Sequence, residues 1–341
     1  MALWHCVKCG GWGTAPIDSL PPAASDARPR WGVWGRENLV ACPRCGDRKG
    51  HAGIMALGPD ERSRLRGRLL RSRSNGNGNR EKGLAGLLPV HRGAALRAEV
   101  QLGAILDQLD QAKTVGQMVA LRGYPEELAV WLADQGVRWF EGETLKRLAR
   151  KGDLEPVLRP LYRARGFLIP VRWWLPDGEG LALAGLQARL YGGEARYLTL
   201  RLFRDWTPPA GLILPPPERE LHFPDKGEVI LTEGWLKAAT AAFIMGRPAV
   251  GFLGLPRKAQ EVARTLKDYL GCQAAILAPD RDGSPGVRAH VSRAFRSMAW
   301  ALRRVRVRVS WATWGSGPKG IDDALLARIP VVISPRSPWA G

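Results

Sequence analysis

Between residues 227 and 325 the chain alternates short apolar runs with longer amphipathic stretches, and this alternation restricts the possible folds more than any other feature. We predict strands in four apolar runs, at residues 229–231, 248–253, 274–278 and 305–311. We predict helices in the three stretches between them, at residues 235–243, 258–270 and 287–303. The order β-α-β-α-β-α-β indicates an α/β fold, in which an open and mostly parallel sheet carries helices on both faces.

Acidic residues follow two of these predicted strands. Glu233 comes at the end of the first strand, and Asp280 and Asp282 follow the third. Ligands bind outside the carboxyl ends of the strands in such sheets, and residues two apart in an extended segment point the same way. Carboxylate oxygens in this arrangement suit Mg²⁺ or Mn²⁺. Alternatively, these residues are ordinary loop carboxylates, because Asp-Arg-Asp-Gly is also a common turn sequence.

The acidic segments resemble a known domain. The E-G at Glu233, the D-x-D at Asp280 and the K-G-x-D-D that begins at Lys319 are together similar to the Toprim domain. That domain is shared by bacterial-type primases, type IA and type II topoisomerases, and some nucleases and recombination proteins. The resemblance implies a Rossmann-like open sheet, catalytic and magnesium-binding roles for Glu233, Asp280 and Asp282, and a further magnesium ligand at the same rim, Asp322.

Lys237 departs from the pattern of this family. Many primases carry an acidic residue a few positions after E-G, whereas this chain has a lysine there, as in Toprim-like domains of phage and plasmid replication proteins. The departure leaves open whether one or two metal ions bind. We expect Lys237 and Lys319 to contact phosphates.

Two matched C-x-x-C-G segments lie near the start of the chain. Each brings two thiolates to one side of a tight turn, so Cys6, Cys9, Cys42 and Cys45 predict a structural zinc site with four thiolate ligands. His5 or His51 is an alternative ligand in place of one cysteine. Disulfides are the competing interpretation, which a cytoplasmic location disfavours. We expect the fifth cysteine, Cys272, to be a buried core residue.

The chain is strongly basic. Lysine and arginine exceed aspartate and glutamate by 51 to 32, which gives a formal net charge of +19. Such an excess favours a polyanionic partner, because cations that neutralise phosphates release condensed counterions. Arginine enrichment from a GC-rich genome is the alternative. No apolar run of about eighteen residues and no signal-peptide pattern occurs, so we expect a cytoplasmic protein without membrane contact.

Residues 91–225 combine helical patterns with a basic hairpin. We predict helices at residues 94–110, 125–135 and 142–151, and strands at residues 166–172 and 181–189 followed by the segment 195–198. Arg172, Arg189 and Arg196 on this hairpin would form bidentate contacts with phosphates. An ordinary surface hairpin with exposed arginines is the alternative.

The hairpin and an R-G segment before it resemble parts of a primase catalytic core. Strand 166–172, the D-x-x-G turn and Arg196-Tyr197 are similar to the basic hairpin that precedes Toprim in bacterial-type primases, and Arg122-Gly123 is similar to the R-G segment that opens their core. Together with the cysteine segments, the order of parts is similar to that of bacterial-type primases over nearly the whole chain. The expected division has five parts: a zinc ribbon at 1–60, a basic flexible linker at 61–90, a helical and basic-hairpin subdomain at 91–225, a Toprim domain at 226–330 and a tail at 331–341.

The resemblance implies a DNA primase, a nucleotidyltransferase that makes short RNA primers on a DNA template. It implies catalytic Mg²⁺ or Mn²⁺, one structural Zn²⁺, single-stranded DNA and ribonucleoside triphosphates as partners, and a separate replicative helicase, since no Walker A loop occurs. Two alternatives stay open: another metal-dependent Toprim enzyme such as a nuclease, and a non-catalytic DNA-binding accessory protein of replication or recombination.

Overall fold

The computed structural model describes residues 2–6, 12–15, 52–56, 90–150, 152, 154–176, 181–192, 196–216, 219, 227–281 and 284–339. These residues form three sheets, with three, four and six strands. The six-stranded sheet contains the expected α/β region, and the four-stranded sheet contains the expected basic hairpin.

The first sheet is small and antiparallel. It consists of β1 (Ala2–Cys6), β2 (Trp12–Ala15) and β3 (Ala52–Ala56), in the order β2-β1-β3. Cys6 is the last residue of β1, whereas Cys9, Cys42 and Cys45 lie outside the described residues. The zinc site therefore stays a prediction.

The second unit is a four-stranded antiparallel sheet with five helices. The helices are α1 (Val90–Leu106), α2 (Gln111–Arg122), α3 (Glu126–Asp134), α4 (Gly142–Ala149) and α5 (Glu155–Leu158), the last followed by a 3₁₀ turn (Arg159–Leu161). The strands are β4 (Arg138–Glu141), β5 (Arg165–Trp174), β6 (Leu181–Tyr191) and β7 (Tyr197–Arg201), in the order β4-β5-β6-β7. The long β5–β6 hairpin confirms the predicted one, while α2 and β4 were not predicted.

The third unit is the predicted open, mostly parallel α/β sheet, which is confirmed. Its strands are β8 (Ala210–Ile213), β9 (Glu228–Glu233), β10 (Ala249–Phe252), β11 (Ala274–Ala278), β12 (Arg308–Trp314) and β13 (Val331–Ser334). Its helices are α6 (Trp235–Met245), α7 (Ala259–Asp268), α8 (Pro285–Arg304) and α9 (Ile321–Leu326). The strand order is β13-β12-β11-β9-β10-β8, in which the four middle strands are parallel and both edge strands antiparallel.

The sheet is larger than the alternating pattern indicated. β8 comes from the segment that we assigned to the preceding subdomain, and β13 lies beyond residue 330, where we expected only a tail. The predicted strand at 305–311 begins later, because α8 continues to Arg304 and the backbone of Val305 caps it. Val307 is nevertheless buried, so its apolar character reflects packing just before the strand.

Helices cover both faces of the six-stranded sheet, as expected. On one face α7 and α8 pack through residues such as Val262 and Phe295, and on the other face α6 and α9 pack through residues such as Leu236 and Ile321. Cys272 is fully buried, as predicted for a core residue, and burial raises the pKa of its thiol to about 11. None of the helices within the described residues is both long and apolar enough to cross a membrane.

Candidate functional site

Glu233 and Asp280 meet at the carboxyl edge of the parallel strands. Glu233 is the last residue of β9, and Asp280 lies two residues after the end of β11, which is the parallel neighbour of β9. The Thr232 hydroxyl donates a hydrogen bond to the carbonyl of Ala278 at 2.8 Å, which ties the two strand ends together. The backbone of Asp280 opposes the rise in the pKa of the Glu233 carboxyl group, as expected for a nearby N–H group. Asp282, the third acidic residue of the prediction, lies outside the described residues.

The turn after β9 brings α6 close to this edge. Gly234 has φ of +78°, a conformation that costs little for glycine and allows α6 to begin at the next residue. Lys237, in the first turn of α6, then reaches across and donates a hydrogen bond to Oδ2 of Asp280. A lysine ammonium therefore lies beside one of the two carboxylates.

Burial and neighbouring charges change the acidity of Glu233. Burial is the largest cause and the charge of Asp280 the next, and together they raise the pKa of Glu233 from 4.5 to about 7, against the opposing effect of Lys237 and Lys319. The metal-free site therefore holds a proton on Glu233 in part of the molecules near neutral pH. A cation bound between the carboxylates would displace that proton.

Asp322 approaches the same lysine from the opposite side. It lies in the first turn of α9, is 1% exposed and forms an ion pair with Nη2 of Arg122 at 3.2 Å. A Cβ atom on Gly320 would lie 2.4 Å from Oδ1 of Asp322 and 3.1 Å from Nζ of Lys237. Only glycine at position 320 leaves room for this approach, so the glycine-rich loop positions Asp322 next to Lys237.

The carboxylates have free coordination capacity. One oxygen of each of Glu233, Asp280 and Asp322 is buried and has no hydrogen-bond partner among the described residues. Buried oxygens of this kind suit a hard divalent cation with retained water. The described residues contain no group of three acidic, histidine or cysteine side chains close enough to hold a metal ion. The described carboxylates therefore suit an ion held by Glu233 and Asp280. Asp322 lies farther along the same edge.

A cluster of arginine and tyrosine side chains reaches Asp322 through Arg122. The guanidinium of Arg189 on β6 lies over the ring of Tyr197 at 4.7 Å and that of Tyr191 at 5.5 Å, and its Nε is buried without a partner. Tyr197 is also one of the groups that raise the pKa of Arg122. Arg122 in turn contacts Tyr124 and Asp322. We call Arg122, Arg189, Tyr191 and Tyr197 the arginine–tyrosine wall.

Arg122 is held in a charged state. Burial alone would lower its pKa, but the neighbouring Tyr124, Tyr197 and Asp322 outweigh burial and raise the pKa above its ordinary value. Tyr124 is fully buried, and burial raises the pKa of its hydroxyl to about 12. Our sequence analysis noted the R-G segment but assigned no site role to Arg122 or to the tyrosines. The R-G segment gave little indication of a site role for Arg122, because its partner Asp322 lies two hundred positions farther along the chain.

The prediction that Arg172 binds phosphate disagrees with its surroundings. Arg172 forms an ion pair with Glu99 of α1 at 2.6 Å, and both side chains are largely buried. Because side chains alternate along β5, Arg172 faces α1, whereas Phe167 and Ile169 face the six-stranded sheet. Glu99 therefore neutralises Arg172 on the face of the hairpin that packs against α1.

Arg196 and Lys319 are both exposed. Arg196 precedes β7, and its carbonyl accepts a hydrogen bond from Leu190 at 2.9 Å. The carbonyl of Lys319 accepts one from the backbone of Arg281 at 2.8 Å, which connects the loop after β11 to the glycine-rich loop. Lys319 is also one of the charges that oppose the rise in the pKa of Glu233.

Two cavities adjoin the site. One has a volume of about 1080 Å³ and lies between α2 and the end of the β5–β6 hairpin, where Lys113, Arg163, Arg165 and Tyr191 line it. The other, of about 380 Å³, contains Asp280. It continues along Arg281 and Arg288 to two tryptophans, Trp314 and Trp339. Space is therefore available beside Asp280 and, separately, beside Tyr191 of the arginine–tyrosine wall.

Comparison with known families and structures gives remote similarities. Residues 225–330 match a family described as a domain of unknown function, DUF3854. A search of curated proteins found no match.

Several solved primase structures are similar to the chain. The zinc-binding and RNA polymerase domains of Aquifex aeolicus primase have a TM-score of 0.46 at 14% identity, covering 70% of this chain and 62% of that one. The E. coli primase catalytic core has a TM-score of 0.45 at 16% identity, covering 69% and 75%. The RNA polymerase domain of Mycobacterium tuberculosis primase DnaG has a TM-score of 0.45 at 17% identity, covering 71% and 83%. The chain thus spans less than two thirds of the Aquifex aeolicus protein, and likenesses this remote assign no activity.

Proposed function

We propose that this chain is a DNA primase, which joins ribonucleotides into short primers on a single-stranded DNA template. The observation that carries the proposal is the pairing of Glu233 and Asp280 at the carboxyl edge of a parallel sheet, each with a buried oxygen that has no partner among the described residues. Carboxylates that hold Mg²⁺ and arginines that bind phosphates are the two components that phosphoryl transfer requires.

Glu233 and Asp280 would hold the magnesium ion, which would neutralise the triphosphate of the incoming nucleotide. Asp282 is proposed to complete this set. Alternatively, Glu233 would not bind the metal and would act as the base that accepts the proton of the attacking 3′-hydroxyl, a role that its pKa of about 7 in the metal-free site suits.

The cationic residues would orient the nucleotides. Arg189 lies over the rings of Tyr191 and Tyr197, and its planar guanidinium group matches phosphate oxygens, whereas Arg122 is paired with Asp322. Tyr197 is 38% exposed and offers a ring for base stacking. Lys237 would stabilise the negative charge that Asp280 and Asp322 bring to the site. We no longer assign a phosphate contact to Arg172, because Glu99 already neutralises it.

A primer-synthesis assay tests the proposal. Purified protein is incubated with a single-stranded DNA template, labelled ribonucleoside triphosphates and Mg²⁺, and the products are separated by denaturing electrophoresis. We expect short oligoribonucleotides that depend on template and on Mg²⁺, and no product from Asp280→Asn. Arg172→Gln should retain catalysis once it is shown to be folded, which separates its structural role from that of Arg189.

The same assay distinguishes a non-catalytic role. The absence of a three-ligand metal group among the described residues and the contact between Lys237 and Asp280 are the observations that favour a DNA-binding accessory protein. Template that is bound but unchanged, with no labelled product over a range of Mg²⁺ and Mn²⁺ concentrations, would refute the primase proposal. Cleaved template would instead indicate a nuclease.

A further inference from the structure

Helix α8 exposes a strongly basic face on the outside of the molecule. Between Asp282 and Asp322 the chain has seven arginines, one lysine and no acidic residue. Five of these arginines are exposed along α8, namely Arg288, Arg293, Arg296, Arg303 and Arg304. The last four lie seven and four residues before Trp300 and three and four residues after it, and therefore share one side of the helix with it. We call these four arginines and Trp300 the α8 face.

Trp300 lies at the centre of this face. Its side chain is 52% exposed, and the guanidinium of Arg304 lies 4.7 Å from the ring centroid. The helical positions of Arg293, Arg296 and Arg304 surround it at spacings of seven, four and four residues. A single exposed apolar residue is ordinary on a protein surface. An exposed indole enclosed by arginines is the arrangement that binds a stacked base between neutralised phosphates.

Within the described part of the chain, acidic side chains do not neutralise the α8 face. Among the described residues, no carboxylate forms an ion pair with Arg293, Arg303 or Arg304. Arg296 donates a hydrogen bond to the carbonyl of Trp339 at 2.9 Å, which fixes its direction without reducing its charge. The face is therefore preformed, and its charge is available to an anionic partner.

The α8 face lies away from the arginine–tyrosine wall. α8 packs with α7 on one face of the six-stranded sheet, and Tyr124 and the helix α9 belong to the core on the other face. The amino-terminal end of α8 nevertheless follows closely after Asp280, and the cavity that contains Asp280 also contains Arg288 of α8. From Arg293 to Arg304 the face extends about 17 Å, at 1.5 Å per residue.

We propose that the α8 face is a second binding site for single-stranded nucleic acid, occupied by a part of the strand outside the reaction centre. Arginine supplies the phosphate contacts and Trp300 stacks on one base. A single strand is favoured over a duplex because its bases are free to stack on an exposed indole, whereas the bases of a duplex are already stacked on each other. The proposal goes beyond the function proposed above and does not require it.

Equilibrium binding tests this proposal in the full-length protein. A fluorescently labelled oligothymidine strand is titrated with protein at several salt concentrations in the presence of EDTA and without nucleotides, and anisotropy gives the binding constant. The variant Arg293→Gln/Arg303→Gln/Arg304→Gln should reduce the slope of log K against log salt by about 2, since each phosphate contact on a single strand contributes about 0.7. Because no chemistry is measured, failure here is independent of the outcome of the primer-synthesis assay.

A matched control removes the same charge elsewhere. Arg147→Gln/Arg150→Gln/Arg159→Gln changes three exposed arginines on the helical subdomain and should leave the slope close to that of the unchanged protein. Trp300→Ala should weaken binding by about tenfold with the slope unaltered, and Trp300→Phe should restore most of the affinity, as expected for stacking. Circular dichroism confirms that each variant is folded.

Three outcomes would overturn the proposal. The first is an equal loss of slope in the α8 variant and in its control, which would indicate a diffuse effect of net charge. The second is a larger loss of affinity for a duplex than for a single strand in the α8 variant, which would show that this face prefers a duplex. The third is a loss of binding to phosphatidylserine vesicles with no loss of binding to the oligothymidine strand, which would make the face a lipid contact.

Discussion

At the scale of single residues, Glu233 is the group whose chemistry the fold alters most. Its carboxylate is buried at the end of β9 beside Asp280, and its pKa rises from 4.5 to about 7. The folded state therefore binds more protons than the unfolded state between these two pH values. The free energy of unfolding of the metal-free protein should fall as the pH rises from 4.5 to 7, by about 3 kcal/mol for this group.

Glu233→Gln should remove that destabilisation. In EDTA at pH 8 we expect the variant to be more stable than the unchanged protein by up to about 3 kcal/mol, with a much smaller difference at pH 5. Urea denaturation at the two pH values measures this difference. Glu143→Gln, at an exposed position on α4, is the control and should change the stability by less than about 0.5 kcal/mol. Equal effects of Glu233→Gln at both pH values would contradict the assigned pKa.

Lys237 places a positive charge among the carboxylates of the metal-free site. Its ammonium contacts Asp280 and lowers the pKa of both Glu233 and Asp322. Lys237→Gln should raise the pKa of Glu233 further above its present value, because one opposing charge is lost. It should also increase the thermal stabilisation by Mg²⁺, since the ion then supplies the missing charge.

Carboxyl ¹³C NMR and thermal unfolding with and without Mg²⁺ measure these two effects. Lys146→Gln on α4 removes an exposed charge away from the site and serves as the control. If the stabilisation by Mg²⁺ decreases in Lys237→Gln, then Lys237 does not compete with the cation for the carboxylates.

The sequence indicated the positions of these residues only where the path of the backbone determines them. Glu233 and Asp280 follow apolar runs, and a parallel sheet necessarily brings such positions to one edge. The prediction for Arg172 did not consider which face of β5 the side chain occupies. On that face Arg172 meets Glu99, which lies seventy-three positions earlier in the chain. A one-residue difference in register decides between a phosphate contact and a structural ion pair.

At the scale of elements, the ion pair between Arg122 and Asp322 connects α2 to α9. Arg122 ends α2, where Gly123 in the left-handed conformation stops the helix and leaves the guanidinium directed towards α9. Asp322 is almost fully buried, so loss of Arg122 removes the ion pair of a buried charge and leaves the charge of Lys237 to oppose it. This contact joins the helical subdomain to the edge that carries the carboxylates.

A double-mutant cycle should reveal this coupling. Arg122→Met should lower the free energy of unfolding by about 3 kcal/mol, and Arg122→Met/Asp322→Asn should be less destabilised than the sum of the two single variants by at least about 1 kcal/mol. Urea denaturation of the four proteins gives the coupling energy. Lys113→Met/Glu141→Gln, an exposed pair at 2.6 Å, is the matched control and should show coupling below about 1 kcal/mol. Strictly additive effects at Arg122 and Asp322 would mean that the two helices are held by apolar packing alone.

Element boundaries show what local sequence does and does not determine. The β-α alternation and the basic hairpin were predictable because the spacing of apolar residues within a short stretch distinguishes a helix from a strand. The edge strands β8 and β13 were not, because each has only four residues and pairs antiparallel with a strand that is distant or already assigned. Their identity depends on the partner strand rather than on their own composition.

At the scale of the whole molecule, the two larger sheets share two hydrophobic clusters. Phe167 and Ile169 of the four-stranded sheet pack in the same cluster as Ile230 of the six-stranded sheet. Trp173 and Leu212 belong to a second shared cluster. Full burial of each such side chain contributes about 1.5–3 kcal/mol. A division of the chain near residue 225 would expose these side chains and would also remove β8 from the edge of β10.

Residues 90–341 should therefore unfold as one cooperative unit, whereas residues 226–341 alone should not fold stably. In the shorter fragment the edge of β10 loses its antiparallel partner, Ala210–Ile213, and the apolar surface that contacts β5 meets water. Urea denaturation of the 90–341 fragment, followed by circular dichroism and tryptophan fluorescence, should give coincident single transitions. Extending the shorter fragment to begin at residue 203, which restores β8 but not the four-stranded sheet, separates the two causes and should recover only part of the stability. Two resolved transitions in the 90–341 fragment, or a cooperative transition of comparable midpoint in residues 226–341, would show that the six-stranded sheet folds without the subdomain that supplies the arginine–tyrosine wall.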